Sequence, residues 1–156
     1  MSSKKITAEE DKSWRSFLHA STRITSLLDD EMRAAHGERL ADFDVLSNLA
    51  ESPNTEMRMS ELADQTLFSR SRLSYTVSQL ESRGLVRRTK DERDRRGVTA
   101  SLTPAGVALH RRLAVTHVAG IRRVFLDPTS VKSRSELADA LAPILEMLEN
   151  ANDKSR

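Results

Sequence analysis

SRSRLSYTVSQLESRG, Ser69–Gly84, is the stretch on which the reading of this chain turns. Leu73, Val77 and Leu80 recur at spacings of four and three and so line one face of a helix, with Ser69 in the place of an N-cap and Gly84 as its stop. The opposite face carries Arg70, Ser71, Arg72, Ser74, Tyr75, Ser78 and Gln79, hydrogen-bonding side chains with no acid among them before Glu81. A polar outward face needs no ligand, so the stretch alone leaves two readings open, a solvated helix and a helix that contacts a nucleic acid.

Its neighbours weigh on that choice. Upstream, SELADQTL, residues 60–67, predicts a short helix capped by Ser60 with Leu62, Ala63 and Leu67 on one face, followed by a turn at Phe68-Ser69. Two helices joined by a short turn, the second exposing Arg, Ser, Tyr and Gln, form a helix-turn-helix, whose second helix enters the DNA major groove. Downstream, Leu85–Thr89 and Val98–Thr103 read as paired antiparallel strands. The segment between them, KDERDRRG, Lys90–Gly97, has nothing apolar in it and is longer than the two residues that suffice to reverse a chain. From Arg70 to Arg96 there are nine basic residues against four acidic ones, although the whole chain of 156 residues carries a formal charge of only +2. Positive charge concentrated in this way is the electrostatic footprint of a polyanion site.

Further outward the pattern is helical. Thr7 and Glu10 match a capping box ahead of a long helix bearing Trp14, Phe17, Leu18, Ile24, Leu27 and Leu28, which ends at His36-Gly37. A second helix from about Asp42 turns Val45, Leu46, Leu49 and Ala50 inward and stops at Glu51–Asn54; Met57–Met59 is a short extended piece. After the hairpin, Thr103 caps a fifth helix with Pro104 at its first position and Leu109, Leu113, Ile121, Val124 and Phe125 as its apolar positions. Beyond Asp127-Pro128 a last helix, about Ser133 to Asn150, carries Leu137, Leu141, Ile144, Leu145 and Leu148, with a bend or short break expected near Ala142 because Pro143 follows. The terminal helices carry more apolar surface than a small winged module needs, which points to dimerisation.

Composition closes several classes. At 38% apolar and 31% charged residues the chain describes one helical domain, with no run near the roughly 18 apolar residues of a membrane span and no signal peptide, so a cytoplasmic protein is expected. It has no cysteine, hence no disulfide and no thiolate metal site. His19, His36, His110 and His117 form no metal-ligand spacing, and neither a glycine-rich phosphate loop nor a GxSxG elbow appears. An enzyme, a resident metal and a cofactor are therefore not expected.

Three blocks in order, Leu80–Arg88 (LESRGLVRR), Asp94–Val98 (DRRGV) and Leu102–Gly106 (LTPAG), resemble the helix end, wing and strand-to-helix signature of the MarR (multiple-antibiotic-resistance regulator) family of bacterial transcription factors. The resemblance spans nearly the whole chain. It implies a mostly α fold with a small β wing: a winged helix-turn-helix core over about residues 42–103, and long N- and C-terminal dimerisation helices over about 7–36 and 104–150. It implies a homodimer on a pseudo-palindromic double-stranded operator, a repressor released by a small-molecule effector. Carried over by position, Ser71, Arg72, Tyr75 and Thr76 lie nearest the bases and Ser69 and Ser74 near phosphates. Arg70, Gln79 and Arg88 flank them, and Tyr75 stands where many members have arginine. In the wing, Arg96 matches a residue inserted in the minor groove and Asp94 the carboxylate that braces it, with Lys90, Arg93 and Arg95 on phosphates. The chemistry suits the residue, because a narrow A·T-rich groove concentrates negative potential and a guanidinium leaves water more easily than an ammonium. Trp14, Phe17, His19, Phe43 and His117 are the candidates for an effector pocket. The runner-up is a winged-helix module that binds protein and no DNA.

Overall fold

The computed structural model describes residues 5–66, 68–90 and 97–153. The chain divides into two compact units, one up to Gly120 and one from Ile121.

In the first unit, helix α1 runs Ala8–His36. Its start is the expected capping box: Glu10 donates its amide to Thr7 Oγ1 at 3.2 Å, and the Thr7 amide donates to Glu10 Oε2 at 2.6 Å. Its end is the expected left-handed cap, with Gly37 at φ 71° and its N–H on Arg33 O at 2.9 Å. Helix α2, Leu40–Glu51, begins two residues before the expected Asp42. The reason is local: Asp42 accepts the Arg39 amide from within the first turn, so it holds the helix start without being it. Val45, Leu46 and Leu49 are fully buried and Ala50 half-buried.

Strand β1, Glu56–Arg58, leads into helix α3, Met59–Thr66, whose Leu62 and Ala63 are buried. Ser60 falls inside α3, so the expectation that it caps the helix is corrected, and Leu67 lies outside the described residues. Helix α4, Arg70–Ser82, starts under Ser69, whose Oγ accepts the Arg72 amide at 3.2 Å. It closes with Gly84 at φ 71° and the Leu85 amide on Leu80 O at 3.0 Å, a Schellman-type end. Strands β2, Val86–Lys90, and β3, Val98–Leu102, pair antiparallel from Val86↔Leu102 to Lys90↔Val98. β1 pairs with the other edge of β3, so the sheet order is β1-β3-β2. Helix α5, Pro104–Ile121, starts where the Thr103 hydroxyl accepts the Gly106 amide at 3.1 Å. One core joins these parts: Met32 of α1, Leu46 and Leu49 of α2, Leu62, Leu73, Val77, Leu80, Val86, Ala100 and Leu113. No residue of α1 ahead of Leu28 is buried.

In the second unit the Asp127 amide bonds to Arg122 O at 2.8 Å, one π-helical turn over Arg122–Leu126. Helix α6 then runs Val131–Asp153 behind Ser130, whose Oγ accepts the Ser133 amide at 3.0 Å. It passes through Pro143 without interruption, so of the expected bend or short break the break is corrected. The freed carbonyl one turn earlier lies on an exposed helix, where water can satisfy it.

The turn between α2 and β1 holds Asn54 at φ 57° and Thr55 at φ 56°. A left-handed backbone is costly for a β-branched residue. Thr55→Gly should therefore raise stability by roughly 0.5 to 1 kcal/mol, the strain relieved exceeding the extra chain entropy of glycine. Urea denaturation of the two proteins checks this, and a loss of stability would show that the turn is held by more than its backbone.

Candidate nucleic-acid interface

Helix α4 turns Leu73, Val77 and Leu80 into the core, which leaves Arg70, Ser71, Arg72, Ser74, Tyr75 and Gln79 exposed together with Ser69 at the cap. Thr76 is the correction. It is 2% accessible, set with the apolar side of α4, so little of it is presented beside the exposed residues. Its place three residues after Leu73 and four before Leu80 puts it at the edge of the inward stripe, where a polar side chain can be read either way and packing decides. The Arg72 guanidinium lies 4.1 Å from the centre of the Phe68 ring, a cation–π contact that orders it at the helix start.

Arg88 is placed differently from expectation. Its amide donates to Glu81 Oε1 at 3.0 Å and its Nε to Glu81 Oε2 at 2.9 Å, and its Nη2 also reaches Oε2, at 2.5 Å. These bonds from Arg88 hold the Glu81 carboxyl below its ordinary range. The pair ties the end of α4 to the root of β2, so Arg88 is committed within the chain and a phosphate would have to compete with Glu81 for it. The acid that ends the basic face of α4 is in turn neutralised.

A groove of about 420 Å³ opens between the start of α3, α4 and the strands, lined by Arg58, Ser60, Arg70, Ser74, Arg88 and Gly97 among others. Arg58 joins the candidates only in this groove. Its signal is an exposed arginine at the end of β1, legible only once β1 is known to pair with β3. Lys90 is exposed at the far end of the hairpin stem. Arg93, Asp94, Arg95 and Arg96 lie outside the described residues.

The five candidate effector residues form two groups. Trp14 and Phe17 are exposed on α1 with ring centres 6.2 Å apart, and His19 is exposed near them. Phe43 is buried on α2, 4.5 Å from the His117 ring and stacked on His110 at 5.7 Å. Burial holds both imidazoles below the ordinary histidine range, and no hydrogen-bond partner for the buried His117 Nδ1 is found among the described residues. A different cavity, of about 680 Å³, lies between α1, α2 and α4, with Thr25, Asp29, Arg39, Asp44, Arg72 and Tyr75 in its wall. Burial pushes the Asp44 carboxyl up, against the opposing pull of the Arg72 charge. Among the described residues no group of acidic side chains, histidines or cysteines could hold a metal ion, and no helix is long and apolar enough to cross a membrane.

The sequence matches the MarR family model over residues 38–97. It is 28% identical over 133 residues to the HTH-type transcriptional regulator PecS of Dickeya dadantii (strain 3937), covering 83% of this chain and 80% of that protein. Among solved structures it is similar to AbsC, a MarR family transcriptional regulator from Streptomyces coelicolor, with a TM-score of 0.90 and 38% identity over 95% of this chain and 99% of that one. It is likewise similar to Sco3205 of the same organism, a MarR family transcriptional regulator solved in complex with DNA, with a TM-score of 0.90 and 35% identity over 94% and 92% of the two chains.

Proposed function

Because the chain belongs to the MarR family of transcriptional regulators, we propose that it is a homodimeric, sequence-specific repressor that binds a pseudo-palindromic double-stranded operator in the cytoplasm and is released by a small molecule. The observation that carries the reading is the exposed, acid-free face of α4 beside the arginine-lined groove. In this reading residues 42–103 form the DNA-binding part, and 7–36 with 104–150 the dimerisation part. Ser71, Arg72 and Tyr75 meet base edges, and Ser69, Arg70, Ser74, Gln79 and Lys90 support them at the backbone together with Arg58. The relative solved in complex with DNA supports the choice of a duplex as the partner.

Selection of bound DNA from a random pool tests the whole reading. The expected product is a palindrome with half-sites about 10 base pairs apart, the spacing at which two recognition helices share one face of the duplex. A pool that fails to enrich would favour the alternative, a winged module that binds protein alone.

Arg96 is the wing's proposed minor-groove probe, with Asp94 as its brace and Arg93 and Arg95 on phosphates. Arg96→Ala should weaken operator binding by roughly 1 to 3 kcal/mol and flatten the salt dependence by about one unit per arginine removed. Titrations at several salt concentrations measure both quantities, and equal affinities would exclude the wing contact.

The effector reading attaches to the cavity between α1, α2 and α4, because Arg72 and Tyr75 stand both in its wall and on the exposed face of α4. An occupant there would bias the reading helix directly, and binding and operator release would then be reciprocally linked. Calorimetry that finds a ligand without DNA release at the same concentration would separate the cavity from regulation.

A further inference from the structure

Arg39 lies ahead of α2, outside the two helices of the helix-turn-helix, yet it is built into the same corner. Its amide donates to Asp42 Oδ2 at 3.3 Å, its Nε to the same oxygen at 2.9 Å and its Nη2 to Oδ1 at 2.7 Å. Asp42 is 3% accessible. The neighbouring Glu38, 6% accessible, takes both Arg83 nitrogens from the far end of α4, one of them at 2.9 Å. So backbone and side chain of Arg39 are held by one buried carboxylate, in a corner that a second buried carboxylate pins to the recognition helix. From there the Arg39 guanidinium carbon sits 6.0 Å from the centre of the Tyr75 ring, and both residues line the same cavity.

An exposed tyrosine on a helix has several rotamers, and a ring that reads a base must choose one of them on binding. A fixed cation against its face makes that choice beforehand. We propose that Arg39 is a specificity-determining positioning residue: braced by Asp42, it sets the orientation of the Tyr75 ring with which the chain reads its operator. The inference rests on the reading of Tyr75 as a base contact. A direct phosphate role is the less suited one for Arg39, since its Nε and one terminal nitrogen are already spent on Asp42.

The test uses the full chain and the operator recovered by selection. For wild type, Tyr75→Ala, Arg39→Ala, Arg39→Lys and the Tyr75→Ala/Arg39→Ala pair, one measures the ratio of affinities for the operator and each single-base variant of it, and the salt dependence. Tyr75→Ala should cut discrimination about tenfold at one or two positions. Arg39→Ala should cut it roughly three- to tenfold at those same positions, leaving the salt dependence unchanged. Arg39→Lys should behave like Arg39→Ala, because an ammonium cannot make the planar two-point bond to Asp42. The pair should be no worse than Tyr75→Ala alone. Uniform weakening over all sequences with a flatter salt dependence would make Arg39 a phosphate contact and overturn the inference, as would additive losses in the pair. If Tyr75→Ala itself leaves discrimination intact, the base-reading role of Tyr75 fails. If it does not and Arg39→Ala matches wild type, only the positioning role fails. Should Arg39→Ala leave Asp42 too costly to bury, Arg39→Ala/Asp42→Asn removes that charge and carries the same comparison.

Discussion

Gly106→Ala should lower the stability of the fold by roughly 3 to 5 kcal/mol, a large part of the roughly 5 to 15 kcal/mol that a domain of this kind has in total. A Cβ on Gly106 would lie 2.1 Å from the Leu85 carbonyl oxygen, which is backbone and cannot swing aside. The same oxygen accepts the Thr103 amide at 3.1 Å and the Thr103 hydroxyl at 3.2 Å, and that hydroxyl also bonds to Gly84 O at 2.7 Å. Moving α5 away from β2 by the distance needed would break two or three of these bonds, at about 1 kcal/mol each, on top of the cost of overpacking. The glycine at the end of α4 supplies the control. Gly84 has a positive φ but nothing within 4 Å of its would-be Cβ, so Gly84→Ala costs only about 1 kcal/mol of backbone strain. Thermal unfolding should separate the two by something like ~10 °C. Equal losses would mean that α5 can slide on the sheet, and that its junction with β2 is not a fixed joint.

The elements that were legible in the sequence are those whose geometry is settled within a few residues. Thr7 with Glu10, Gly37, Ser69, Gly84 and Thr103-Pro104 each mark a helix end through bonds to near neighbours in the chain, and all of these ends stand where they were expected. What escaped depends on contacts made at a distance. Thr76, at the edge of the inward stripe of α4, could not be assigned to a face by period alone, and Arg88 could not be known to serve Glu81 before the hairpin was laid against α4. The ion pair of Glu38 and Arg83 joins residues 45 positions apart, which no local pattern announces. Arg58 gains meaning only through the pairing of a three-residue strand. The roles assigned to Arg96 and Asp94 came from resemblance joined to the chemistry of a guanidinium, and not from spacing. Side-chain type marks the candidate effector residues, and type alone does not say that Trp14 pairs with Phe17 while Phe43 pairs with His117.

The double substitution Ile144→Glu/Leu145→Glu should turn the protein into a monomer and weaken its hold on a full operator by about a hundredfold or more. Leu137, Leu141, Ile144, Leu145 and Leu148 share one stripe of α6, yet Ile144 is 47% and Leu145 54% accessible in the single chain. Val115 and Val118 on α5 and Trp14, Phe17 and Leu18 on α1 are exposed in the same way. In the proposed homodimer this apolar surface is what a second copy of the chain would cover, and its burial would supply the association free energy. Two carboxylates set into that stripe would have to be desolvated without partners, which opposes association far more than it opposes folding, since neither residue belongs to the chain's own buried core. Glutamate is also as good a helix former as the residues it replaces, so α6 itself should persist by circular dichroism. The loss on DNA follows from geometry: two linked heads gain on the order of 10² to 10⁴ in affinity over one, and a monomer forfeits that factor while keeping its contacts to a half-site. Light scattering reads the first consequence, and titration of full-operator and half-site duplexes the second. Dimers that survive both substitutions, or monomers that hold the full operator as tightly as wild type, would remove the basis for reading the operator as a palindrome.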